Sequence, residues 1–89
     1  MNEVIQGLQQ LNKTLKGNDE GRIQQIIQST RASIQKSGAG LTDDKKHLLN
    51  NLDQELSVWN EKIAVILKEP VGRQGMAKHA LHWVERLQK

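Results

Sequence analysis

The apolar residues of this chain recur at intervals of three and four, the spacing that puts side chains on one face of a helix. Three such series are Val4, Leu8, Leu11 and Leu15; then Ile23, Ile26, Ile27 and Ile34; then Leu49, Leu52, Leu56, Trp59, Ile63 and Ile66. A fourth, broader series covers nearly half of a helix circumference and comprises Met76, Ala77, Ala80, Leu81, Trp83, Val84 and Leu87. The pattern predicts an all-α fold, a small antiparallel bundle of three to four helices at about residues 2–16, 19–36, 42–68 and 74–88.

Breaks between the series set the predicted boundaries of the last two helices. Gly38 and Gly40 are expected to stop the second helix, and Thr42, followed by two aspartates, to start the third. The third helix should end before Pro70, because the residue preceding a proline is disfavoured in the helical region. The segment EPVGRQG, residues 69–75, is predicted to be a short connector.

The segment GNDEG, residues 17–21, allows two interpretations of the first half of the chain. Each glycine inside a helix would cost about 1 kcal/mol relative to alanine, whereas Asn18 and Asp19 are favourable residues for starting a new helix. A break is therefore favoured. The alternative is one continuous helix forming an arm of a long hairpin, because eight residues separate Leu15 from Ile23 and the apolar face would be kept.

The composition is that of one small helical domain covering residues 1–89, with an aliphatic core. Phe and Tyr are absent, so Trp59 and Trp83 are the large rigid side chains available to a core or an interface. The absence of cysteine excludes disulfides and thiolate chemistry, and it fits a reducing compartment. No apolar run approaches the roughly 18 residues of a membrane span, and no export signal is recognisable, so a cytoplasmic protein is expected.

The net charge of +3 is unevenly distributed, with +2 on residues 1–40, −2 on residues 41–69 and +3 on residues 70–89. The acidic middle can complement the basic segments within one bundle. An alternative function is nucleic-acid binding by the basic C-terminal helix 73–89, with contacts from Arg73, Gln74, Lys78 and Arg86. The small total charge and the long connector containing Pro70 argue against that alternative.

Catalytic and metal-binding patterns are weak in this sequence. His79 and His82 are three residues apart but do not form the H-E-x-x-H pattern, and Asp43 with Asp44 is explained by the positive end of a helix dipole. A narrow bundle offers little concave volume for a substrate. We therefore expect no enzyme activity, no metal, no cofactor and no small-molecule substrate, and membrane-surface binding is likewise not indicated.

The lengths of the predicted helices give the main indication of function. The third helix would span about 40 Å and the others about 25 Å, so either the first two helices are continuous and cover it, or part of its apolar seam stays bare for a partner. The second possibility predicts a non-catalytic protein–protein interaction module: an adaptor, a chaperone, an assembly subunit, an inhibitor or a self-associating, coiled-coil-like chain. The partner-binding residues would be Trp83, Met76, Leu87, Trp59, Leu52 and Leu56. Trp83 could belong to the core or to the interface.

Overall fold

Four α-helices make up the fold in a computed structural model that describes residues 2–17, 19–37 and 40–88. They are α1 (Asn2–Thr14), α2 (Glu20–Lys36), α3 (Asp43–Lys68) and α4 (Pro70–Gln88). The predicted all-α fold is confirmed. Among the helices of these described ranges, none is long and apolar enough to cross a lipid bilayer.

The helical structure is interrupted between α1 and α2, as the favoured interpretation predicted. The N–H of Gly17 donates to the carbonyl of Thr14 at 3.0 Å, a tight turn that ends α1. Asp19 then caps α2, its carboxylate accepting the N–H of Arg22 at 3.1 Å. The other predicted cap, Asn18, lies outside the described residues.

Thr42 caps α3 as predicted, since its hydroxyl accepts the N–H of Lys45 at 3.4 Å. Gly40, two residues before it, has a φ of 81°, in the left-handed region that favours glycine. Gly38, the other predicted helix stop at this boundary, lies outside the described residues.

The prediction of a connector at residues 69–75 is wrong, because α4 begins at Pro70 rather than near residue 74. Glu69 alone separates the helices, with an extended backbone at φ −118° and ψ 135°. Proline suits the first position of a helix, where no N–H donor is needed and its fixed φ is already helical. Gly72 allows the two helices to meet closely, because a Cβ there would lie 2.5 Å from the carbonyl oxygen of Ile66.

The helices form an up-down-up-down bundle in which each contacts two others. α1 and α3 are both flanked by α2 and α4, so α1 lies diagonally opposite α3. The four pairings are antiparallel, and each is marked by one contact between the two helices: Gly7 with Thr30, Asn12 with Ala77, Arg31 with Asp53 and Lys45 with Leu87. The fold measures 39 × 21 × 18 Å.

The core consists of the predicted apolar series with small changes at their edges. Its buried apolar members are Val4, Leu8, Leu11, Leu15, Ile23, Ile26, Ile27, Ile34, Leu49, Leu52, Leu56, Trp59, Ile63, Leu67, Met76, Ala80, Trp83, Val84 and Leu87. Ile66 is only half-buried and Leu67 takes its place, while Leu81 of the predicted α4 face is 44% exposed.

The seam of α3 is covered, so neither of the two arrangements expected from the helix lengths is present. α2 lies along one flank of α3 and α4 along the other. Because α4 starts at Pro70, it is about 6 Å longer than the predicted helix at 1.5 Å per residue. The apolar seam of α3 is therefore covered by two shorter helices, one on each flank, without a continuous arm over residues 2–36.

Candidate functional site

The six residues predicted to bind a partner all lie in the core. Their exposed fractions are 5% for Trp83, 4% for Met76, 3% for Leu87, 7% for Trp59, 0% for Leu52 and 0% for Leu56. In the isolated chain they do not form an exposed seam, since they pack against one another between α3 and α4. Their role in partner binding stays a prediction, and it would require α4 to move away from α3.

A polar cluster holds Trp83 between the two helices. Its indole Nε1 donates to Oε2 of Glu55 at 2.8 Å, which satisfies a donor that would be costly to bury alone. Nδ1 of His79 lies 3.8 Å from the other oxygen of Glu55, and the guanidinium of Arg86 lies 4.4 Å from the centre of the Trp83 ring. The contacts of Trp83 and His79 with the carboxylate of Glu55 join α4 to α3, whereas Arg86 and Trp83 both lie on α4.

The sequence analysis did not identify Glu55 as the acceptor of the Trp83 N–H, although one signal was present. A buried tryptophan usually needs an acceptor for its N–H, and Glu55 precedes Leu56 at the edge of the α3 seam. The two histidines of α4, His79 and His82, are both exposed. In the described part of the chain, no three His, Asp or Glu side chains are grouped in a way that could hold a metal ion.

Three of the four residues predicted to contact nucleic acid lie together, and the fourth lies apart. Arg73, Gln74 and Lys78 line one groove near the start of α4. Arg86 is thirteen residues beyond Arg73, about 20 Å along the helix, and its guanidinium lies over the Trp83 ring.

This groove, called the basic groove below, lies between the end of α1 and the first turns of α4. It has a volume of about 410 Å³ and is lined by Leu15, Lys16, Pro70, Arg73, Gln74, Ala77 and Lys78. Leu15, Pro70 and Ala77 form an apolar floor, and Lys16 and Lys78 form an exposed rim. None of these lining residues is acidic.

A hydrogen bond between α1 and α4 holds the walls of the basic groove in place. The side-chain amide of Asn12 donates from Nδ2 to the carbonyl oxygen of Ala77 at 3.0 Å. Lys16 is four residues beyond Asn12 and Lys78 directly follows Ala77. Lys16 lies in the turn just beyond the end of α1 at Thr14, so this bond fixes the end of that helix against the part of α4 that carries Lys78.

Asn12→Asp tests that bond, because a carboxylate cannot donate to the carbonyl of Ala77. We expect the free energy of unfolding to fall by about 1.5 kcal/mol, the scale of a part-buried hydrogen bond lost beside an unpaired acceptor. Urea denaturation followed by circular dichroism measures the change. Asn51→Asp, at an exposed position of α3, is the matched control and should change stability by about 0.5 kcal/mol or less. Equal losses in both variants would contradict a role for Asn12 in joining α1 to α4.

A second groove of about 390 Å³ is lined by residues of α1 and α2. Its lining combines Glu3 and Arg22, which have opposite charges, with Gly7 and with neutral polar side chains such as Gln25 and Ser29. The basic groove differs from it in having an apolar floor and a rim of one charge sign.

The sequence matches no protein family, no curated protein and no solved structure. The side chains of the basic groove and of the core are therefore the basis for inferring a function.

Proposed function

We propose that this chain is a non-catalytic protein–protein interaction module that binds its partner at the basic groove. The observation that carries the proposal is the pairing of an apolar floor with two exposed lysines, Lys16 and Lys78, at one surface. Within the described residues, neither lysine makes an ion pair. Protein interfaces commonly combine an apolar centre with a polar, solvent-accessible rim, and this surface has both parts.

The positions of the carboxylates favour binding over catalysis. Glu55 accepts the indole N–H of Trp83, and Asp53 pairs with Nε of Arg31 at 3.0 Å. Both carboxylates thus join α3 to a neighbouring helix, and neither lines the basic groove. General acid–base catalysis needs a group placed within hydrogen-bond reach of the reacting atom. The groove is lined by lysines, an arginine, a glutamine and apolar side chains, so a substrate bound there would have no carboxylate beside it.

The proposed surface narrows the roles that the chain could have. An adaptor, an assembly subunit or an inhibitor can use the basic groove with the bundle intact. A chaperone that used the apolar seam of α3 would first have to expose Trp59 and Trp83, which are 7% and 5% exposed. We favour the first three roles, and the absence of cysteine is compatible with their being performed in the cytoplasm.

Nucleic-acid binding is the second candidate, because Lys16 adds a cation to the group formed by Arg73, Gln74 and Lys78. Each phosphate contact contributes about −0.9 to the slope of log affinity against log salt. Three cations would therefore give a slope of only about −3 and weak binding at physiological salt. Arg86 lies too far along α4 to enlarge this surface. The same cations are better explained by a small acidic surface on a protein.

Reversing the charge of both rim lysines, Lys16→Glu with Lys78→Glu, should remove the partner without unfolding the bundle. We expect the dissociation constant to rise at least tenfold, or about 1.4 kcal/mol, while the free energy of unfolding changes by about 0.5 kcal/mol or less, because both positions are exposed. The measurement is affinity purification of the tagged chain from its native cells, with recovered proteins quantified by mass spectrometry.

Lys46→Glu with Lys62→Glu is the control, since it makes the same change in net charge at exposed positions of α3. The protein lost from the groove variant should be recovered with this control at the wild-type amount. Undiminished recovery with the groove variant would contradict the proposed function. Retention of DNA or RNA by the wild type at low salt, lost in the groove variant only, would favour the second candidate.

A further inference from the structure

We infer that the basic groove takes a short acidic segment of the partner protein, in which an apolar side chain lies between carboxylates. This inference rests on the proposed function and adds the chemistry of the bound segment. The size of the groove sets the length: about 410 Å³ is near the lower end of the roughly 300–1,000 Å³ typical of small-ligand sites. It suits a few residues of an extended or helical segment rather than a whole domain face.

The apolar floor of the groove is the reason to expect an apolar side chain in the bound segment. Leu15 is 2% exposed, so its side chain supplies a fixed base, and Pro70 and Ala77 complete the floor. A leucine-sized side chain resting on these three residues would remove apolar surface from water on both partners.

The positive charge of the groove is the reason to expect carboxylates in the bound segment. Lys16 and Lys78 rim the groove, and Arg73, half-buried, adds a third cation to its lining. The groove also adjoins the first turn of α4 at Pro70, where the helix dipole is positive. The neighbouring carboxylates do not line it: Asp19 caps α2, and Glu69, directly before Pro70, is absent from the lining side chains. Carboxylates on either side of the apolar residue would therefore meet the two lysines.

A titration with defined peptides tests this chemistry. The probe is a short capped peptide in which two leucines are flanked by glutamates, added to the isotope-labelled chain and followed by amide NMR shifts. We expect shifts confined to the end of α1 and the first turns of α4. The dissociation constant should rise at least tenfold when every glutamate of the peptide becomes glutamine, and again when both leucines become alanine. Equal affinity for the glutamate and glutamine peptides, or shifts centred elsewhere, would overturn the inference.

Two further probes separate the alternatives. An oligothymidine of the same length should bind more weakly than the acidic peptide, and tighter binding of the oligonucleotide would overturn the inference in favour of a nucleic-acid site. The variant carrying Lys16→Glu and Lys78→Glu should lose peptide binding, whereas Lys46→Glu with Lys62→Glu should retain it. Binding that persists in the groove variant would overturn the inference as well.

A cross-linking experiment distinguishes failure of this inference from failure of the proposed function. Gln74, exposed at the groove, is replaced by the photoreactive residue benzoylphenylalanine in the full chain, which is then irradiated in its native cells. A cross-link mapped to an acidic segment with an apolar residue supports the inference. A cross-link mapped to a neutral or basic segment of a protein overturns it and leaves the proposed function standing. No cross-linked protein, together with unchanged recovery of proteins by the charge-reversed groove variant, overturns both.

Discussion

Trp83→Ala should lower the free energy of unfolding by about 3–5 kcal/mol, the usual range for removing a large buried aromatic side chain. Trp83 is 5% exposed, so the substitution leaves a cavity between α3 and α4. It also removes the indole N–H that donates to Oε2 of Glu55 and the ring beneath the guanidinium of Arg86. Urea denaturation followed by circular dichroism measures the loss.

Two companion variants divide this effect into its parts. Trp83→Phe keeps most of the apolar ring but has no N–H for Glu55, so it should cost about 1–3 kcal/mol. Leu81→Ala, on the same helix but at a position that is 44% exposed, should cost about 1 kcal/mol or less. Equal losses for Trp83→Ala and Leu81→Ala would contradict the burial of Trp83. A stable Trp83→Ala variant that had lost its partner would instead place this residue at an interface.

The core could be predicted from the sequence because it depends on local periodicity. The series in α1 and α2 are buried throughout, and in α3 only the last turn shifts from Ile66 to Leu67. The start of α4 could not be predicted in the same way. Glycine has a low helix propensity, so Gly72 argues against a helix at this position. It is needed there because the start of α4 lies so close to the Ile66 carbonyl that a larger residue would not fit. That approach is a property of the packed helices and leaves no local pattern.

The candidate site was only half visible in the sequence for a related reason. Arg73, Gln74 and Lys78 share one helix, so their proximity follows from spacing. Lys16 joins them only because α1 packs against α4, and the Asn12–Ala77 hydrogen bond that helps to set this pairing joins residues 65 positions apart. The covering of α3 has the same origin, because it depends on which helices pack beside α3 as well as on their lengths.

Gly7→Ala should lower the free energy of unfolding, although alanine is the better helix former by about 1 kcal/mol. Gly7 lies within α1 where that helix crosses Thr30 of α2, and an added Cβ would collide with Oγ1 of Thr30. Rotating the threonine gives little relief, since its Cβ would stay 3.2 Å away and Oγ1 would lose its hydrogen bond to the carbonyl of Ile26. Overpacking costs about 1–3 kcal/mol, and a contact this short falls at the upper end, so we expect a net loss of about 2 kcal/mol.

Two variants make this test specific to the contact between α1 and α2. Gly75→Ala, within α4, is the matched control: nothing lies within 4 Å of its added Cβ, so it should gain about 0.5–1 kcal/mol from helix propensity alone. Adding Thr30→Ala to Gly7→Ala removes Oγ1 and Cγ2 and leaves only the 3.2 Å approach to Cβ. This double variant should be more stable than Gly7→Ala by about 1 kcal/mol, a favourable coupling measured by a double-mutant cycle. Stabilisation by Gly7→Ala equal to that of Gly75→Ala would show that α1 and α2 do not approach so closely. If the double variant is as unstable as Gly7→Ala, the added Cβ collides with the backbone of α2 and not with the side chain of Thr30.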